Sequence, residues 1–73
     1  MITSTQELGA KIRRERKRLG VTQADLAMTA GTGTRFVVDL ENGKPTVQTG
    51  KVLQILQALG LRLEILSSGE SSP

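Results

Sequence analysis

The stretch Thr22–Lys44, TQADLAMTAGTGTRFVVDLENGK, constrains this chain more than any other, because it specifies two short helices and a tight join between them. Thr22 is placed as an N-cap, and Asp25 three residues later makes a short-armed capping box. Leu26, Ala27 and Ala30 follow at helical spacing. Gly31 then stops the helix, since glycine enters the left-handed conformation beyond a helix end without a Cβ penalty. After Thr32 and Gly33 a second pattern begins, with Phe36, Val37 and Leu40 on one face, and it closes at Asn42-Gly43. Two helices of about two turns each, joined by three or four residues that include glycine, form a helix-turn-helix unit.

Seventy-three residues make one small domain, at the lower edge of what a single core holds. Cys and His are both missing from the sequence. A disulfide framework and Cys or Ser–His nucleophilic catalysis are therefore excluded, and a zinc site of the usual soft ligands is not expected. The remaining acids, such as Glu7 and Glu15, look like caps and surface pairs, so no enzyme, metal or cofactor is expected. Oligomerisation is the staple left to a chain this short. No run of about 18 apolar residues occurs, and the start MITSTQEL lacks a basic-then-apolar pattern, so no membrane contact and a cytoplasmic location are expected.

The net charge of +3 is unevenly spread. Lys11, Arg13, Arg14, Arg16, Lys17 and Arg18 face only Glu7 and Glu15 within residues 1–20, while residues 21–60 carry three charges of each sign. Such a field on the first helix calls for a polyanion beside it. Phe36 is the only aromatic, which leaves no stacking platform for single strands or RNA. Double-stranded DNA is the better match, with the second helix of the unit entering the major groove.

The first helix opens at Ser4, with Glu7 at N3 completing a capping box, and Gly20 ends it. Leu8, Ile12 and Leu19 give it one apolar stripe. Arg16 lies on that stripe and needs a partner if buried. Glu41, next to core Leu40, is the acid in position, so an Arg16–Glu41 ion pair is expected to tie the first helix to the end of the second short one. Arg16 reaching solvent is the alternative. Val21 packs ahead of the Thr22 cap as a hydrophobic staple. Lys44-Pro45-Thr46 breaks the chain, Thr46 is the candidate N-cap of a further helix through Leu59, and Gly60 stops it. Val52, Ile55, Leu56 and Leu59 form its core face.

Residues 61–66, LRLEIL, change period: Leu61, Leu63 and Ile65 alternate with Arg62 and Glu64, as in a half-buried strand. The sequence holds no second strand for it, so its ladder is expected to be completed by its own copy in a homodimer. With Leu63 at the two-fold axis, Arg62 would face Glu64 of the other chain. A helix extension or a frayed end is the alternative. Residues 67–73, SSGESSP, are expected to be a disordered tail. The expected organisation is thus a helix-turn-helix domain over 1–60, a dimerisation strand over 61–66, and that tail.

With these residues in hand, the chain resembles the phage-repressor type of helix-turn-helix domain, the Xre or Cro/CI family. The resemblance rests on Gly20-Val21-Thr22-Gln23, Leu26-Ala27, Ala30-Gly31 and Leu40-Glu41-Asn42-Gly43-Lys44, and covers about residues 8–60. It implies a mainly α fold of four to five helices, with an ion pair where Arg16 and Glu41 stand. Within that family the chain is similar to HipB-type antitoxins over Arg35–Thr46, Lys51–Gly60 and the strand that follows. This narrower resemblance implies a homodimer joined through C-terminal strands, repression of its own operon, and binding of a HipA-like kinase-fold toxin in trans. The chain departs from the family at Gly33, where a Ser-like N-cap is usual, and at Val38, where a polar residue is usual.

Base-edge contacts are expected from the start of the second short helix. Arg35 suits guanine O6 and N7, and Thr34 a thymine methyl or a phosphate. Val38 suits a thymine methyl or the core. Asp39 faces a polyanion poorly unless it accepts from cytosine N4 or orients Arg35. Phosphate contacts are expected from Gln23 at the first position of its helix, from Lys44, and from Arg13 and Lys17, which share a face and serve equally as a solvated surface. The family resemblance adds Thr32 and again Gln23. A dimeric autorepressor on a palindromic operator follows, with half-sites roughly 34 Å apart. Its alternatives are a free-standing regulator without a toxin and an interaction module that no longer binds DNA.

Overall fold

The computed structural model describes residues 1–65, which fold into four helices: α1 (Thr5–Arg18), α2 (Gln23–Ala30), α3 (Thr34–Glu41) and α4 (Thr49–Ala58). Leu66 of the expected strand and the expected tail 67–73 lie outside the described residues. The fold is the mainly α helix-turn-helix architecture expected, with four helices. Packing is centred on α2 and α3, with α1 laid against α3 and α4 against α2. Ile12, Leu26, Ala27, Ala30, Val37, Leu40, Val52, Ile55, Leu56 and Leu59 form one buried core.

Local chemistry sets the helix ends. Ser4 Oγ accepts the Glu7 backbone N–H at 3.1 Å, so α1 starts as expected. Its capping box is not reciprocal, however: the Glu7 carboxylate accepts from the backbone and hydroxyl of Thr3 instead of the Ser4 N–H. At α2 the box is complete, with Asp25 N–H donating to Thr22 Oγ1 at 3.0 Å and Thr22 N–H to Asp25 Oδ2 at 3.1 Å. Gly31 (φ 78°) closes α2, and the following Thr32 N–H reaches back to the Ala27 carbonyl at 2.9 Å. The same pattern closes α3, where Gly43 N–H donates to Leu40 O and Lys44 N–H to Asp39 O, both at 3.0 Å. The start of α4 differs from the expected Thr46 cap. Gln48 is its N-cap, and Pro45 through Val47 form a connection in which Val47 packs on the core.

The buried face of α1 is Gly9, Ile12 and Arg16, three positions that share a helix face. Leu19 was expected on this stripe but is 46 % exposed, and Leu8 is only half-buried. Gly9 takes the place of a large side chain for a geometric reason. A Cβ there would stand 2.3 Å from Leu40 O and 2.7 Å from Glu41 O, so the α1 backbone rests directly on the end of α3. At the same junction Thr5 Oγ1 donates to Gly43 O at 2.8 Å. On the far side, Gln54 Nε2 donates to the Ala30 carbonyl at 3.3 Å, linking α4 to the end of α2.

Beyond α4, residues 61–65 carry no regular secondary structure in the single chain. Leu61 remains half-buried, its N–H donating to Leu56 O at 2.8 Å. Leu63 and Ile65 are 59 % and 90 % exposed.

Candidate nucleic-acid interface

Eight residues of α3 carry two faces with different work. Val37, Leu40 and Glu41 point inward. The Glu41 carboxylate meets Arg16 side by side: Arg16 Nε donates to Oε2 at 2.6 Å and Nη2 to Oε1 at 3.1 Å. The remaining terminal nitrogen, Nη1, donates to the Val21 carbonyl at 2.9 Å. Arg16 is 8 % exposed, and the Glu41 hydrogen bonds raise its pKa above the ordinary guanidinium value despite burial acting the other way. Among the described residues no buried side-chain nitrogen or oxygen lacks a partner. A bidentate pair closed in this way fixes how α3 lies against α1.

The outer face begins at Gly33, the N-cap of α3, which offers no side chain to the first helix N–H groups. Thr34 and Arg35 follow, both exposed, the Arg35 side chain at 86 %. Val38, one turn on, is half-buried, so part of its surface reaches this face. Arg35 Nε donates to Asp39 Oδ1 at 3.1 Å, and Lys44 Nζ lies 3.6 Å from Asp39 Oδ2. The structure therefore joins Arg35, Asp39 and Lys44 into one cluster on the outside of α3. The Lys44–Asp39 contact has no local sequence signature, because it exists only after the chain reverses at Gly43.

The residues expected at phosphates flank this face. Lys44 is exposed at the end of α3. Arg13 and Lys17 are exposed on α1, where they line a shallow hollow with Ala10, Arg14 and Glu41. Thr32 is half-buried in the α2–α3 turn, its hydroxyl directed to the Gly33 carbonyl at 3.4 Å. Gln23 is the first residue of α2, and its Nε2 donates to Glu41 Oε1 at 3.1 Å. That contact was not read from the sequence: the carboxylate that holds Arg16 also orients Gln23, leaving the second Nε2 hydrogen for an outside acceptor. Gly9 was missed as well, since a lone glycine inside a helical pattern does not reveal what approaches it. Of the candidate dimer residues, Leu61 is tucked against α4, and Arg62, Leu63, Glu64 and Ile65 are exposed. Arg62 Nη2 pairs with Glu64 Oε2 of the same chain at 2.9 Å. Among the described residues no helix is long and apolar enough to cross a membrane.

A helix-turn-helix domain family profile matches residues 7–65. The HTH-type transcriptional regulator y4mF of Sinorhizobium fredii (strain NBRC 101917 / NGR234) is 52 % identical over 69 residues, covering 94 % of this chain and 91 % of that protein. Among solved structures, a HipA–HipB–O2–O3 complex superposes with a TM-score of 0.85 at 25 % identity, over 94 % of this chain and 97 % of the matched one. A HipB–O4 20mer complex gives the same TM-score, identity and coverage.

Proposed function

The chain belongs to the helix-turn-helix domain family, of the Xre type and most like HipB-type proteins, and from that premise we propose that it is a cytoplasmic, sequence-specific repressor of transcription. It acts on double-stranded DNA as a homodimer at a palindromic operator. The observation that carries this reading is α3 itself: its inner face is locked by the Arg16–Glu41 pair while Thr34 and Arg35 stand clear of the domain at its start. Thr34, Arg35 and Val38 meet base edges in the major groove. Gln23, Thr32 and Lys44 hold the adjoining backbone, and Arg13 and Lys17 extend that grip along α1. Leu61, Arg62, Leu63, Glu64 and Ile65 supply the dimer contact, which gives the exposed Leu63 and Ile65 a cover.

The finer reading is an antitoxin that represses its own operon and holds a HipA-like kinase-fold toxin. It is supported by the likeness to HipB in a solved HipA–HipB–O2–O3 complex. A regulator without a toxin is the second reading, in keeping with the 52 % identity to the HTH-type transcriptional regulator y4mF. Binding to duplexes selected from a randomised pool tests the common core: selective, salt-sensitive binding by a species of about twice 7.8 kDa is expected. Binding that ignores sequence, or a monomer that binds as well as the native protein, overturns it. Co-purification with a kinase-fold product of the neighbouring reading frame separates the antitoxin from the free-standing regulator.

A further inference from the structure

We propose that Asp39 is a positioning residue, which aims the Arg35 guanidinium at a guanine and holds back indiscriminate attraction to phosphate, without itself touching a base. The inference rests on the DNA-binding reading above and assigns one residue's part within it.

Both oxygens of the Asp39 carboxylate are already engaged. Oδ1 accepts from Arg35 Nε at 3.1 Å, and Oδ2 lies 3.6 Å from Lys44 Nζ. Each oxygen keeps acceptor capacity, so a hydrogen bond from cytosine N4 would not have to break these ion pairs, but it would carry the carboxylate towards a polyanion. Arg35 has the complementary arrangement. With Nε committed, its two terminal nitrogens form the end of a planar fork, the donor pair that matches guanine O6 and N7. An arginine 86 % exposed and free to rotate would lose side-chain entropy on reaching that pose. Asp39, only 22 % exposed and fixed on the helix, shortens the search.

Helix stability does not explain the pair. A cation at the start of a helix and an anion towards its end both oppose the macrodipole, and this order of an i,i+4 pair is the weaker one. In α3 the cation is Arg35, in the first turn, and the anion is Asp39 in the second half. Charges placed against the local preference of a helix point to a use outside the helix. The cluster of two cations and one anion also carries a net charge of +1 where Arg35 and Lys44 alone would carry +2. Non-specific affinity grows with each cation free to displace a counterion, so Asp39 lowers the background against which the base contact is read.

The test compares the native protein with Asp39→Ala and Asp39→Asn on a duplex selected from a randomised pool, on its single-base variants, and on an unselected duplex, at several salt concentrations. For Asp39→Ala, discrimination at one G·C pair should fall about tenfold, the scale of a lost bidentate contact. Affinity for the unselected duplex should rise and its salt dependence steepen. Asp39→Asn keeps an oxygen that accepts from Arg35 Nε, so it should lose less discrimination while showing the same rise in background. In an Arg35→Ala protein, Asp39→Ala should change discrimination no further. An unchanged thermal melt accompanies each result. If Asp39→Ala tightens binding to all duplexes equally, or loses selectivity at a base pair that Arg35→Ala leaves unaffected, Asp39 does not position Arg35. A native protein that selects no sequence at all removes the DNA-binding reading, and this inference with it.

Discussion

Helix α3 carries two arginine–carboxylate pairs that share their chemistry and differ in almost everything else. On the inner face, Glu41 meets Arg16 through two hydrogen bonds, in a site where each side chain is at most 10 % exposed. On the outer face, Asp39 meets Arg35 through one, with the guanidinium largely in water. The inner pair has no competitor, so breaking it strands a charge in the core. The outer pair is held by an interaction worth little beside water and salt. The difference lies in burial and completeness, not in residue type: one pair fixes where the helix points, and the other faces what the helix meets.

The largest expected effect comes from the inner pair. Glu41→Ala should cost about 3–5 kcal/mol of stability by urea unfolding, because Arg16 is then buried without its counter-charge. Replacing both partners, Arg16→Met with Glu41→Leu, should recover most of that loss. If the double variant is as unstable as the single one, the attraction itself matters more than the stranded charge. Next, Gly9→Ala should cost about 1–3 kcal/mol by overpacking, since its Cβ meets the carbonyls of Leu40 and Glu41, which cannot swing away as a flexible side chain would. A neutral result in calorimetry would mean that α1 and α3 part without loss.

The outer pair gives the contrasting result. Arg35→Ala should shift unfolding by no more than about 0.5 kcal/mol, yet remove about 1–3 kcal/mol of base discrimination in a binding titration. A large stability loss would place Arg35 with the inner pair and end the contrast.

The smallest effect is on the acid side. Hydrogen bonds from Thr3 hold the Glu7 carboxyl below its usual range, and those from Arg18 and Lys11 do the same for Glu15. Both therefore add stability above the ordinary carboxylate pKa, and this is lost as pH falls through their depressed folded values. Glu15→Gln should flatten that acid decline slightly, while leaving stability at higher pH nearly independent of pH. An unchanged acid limb in a melt series would show that its surface partners contribute nothing.

Features carried by neighbouring residues were legible before any coordinates. Ser4, Thr22, Gly31 and Gly43 mark helix ends through bonds spanning a few positions. Arg16 was also legible, because a charge on an apolar stripe demands an opposite charge and Glu41 stood beside the core. Gly9 was not, since what it accommodates lies 31 positions away in Leu40 and shows nothing unusual there. Leu19 misled because periodicity counts a helix face but does not say where its neighbour ends. The Pro45–Val47 connection delayed α4, where a threonine after proline resembled a cap. At the proposed site, residue types suggested candidates, but the sharing of Asp39 between Arg35 and Lys44 needed the reversal at Gly43. The alternation at 61–65 suggested a strand, but in the single chain these residues carry no regular secondary structure.

One carboxylate, that of Glu41, receives hydrogen bonds from Arg16 on α1 and Gln23 on α2 while itself standing on α3. Three helices thereby share a single rigid reference point before any partner arrives. The relative placement of α1, α2 and α3 is set in advance, so little freedom between the helices remains to be surrendered when the domain meets a partner.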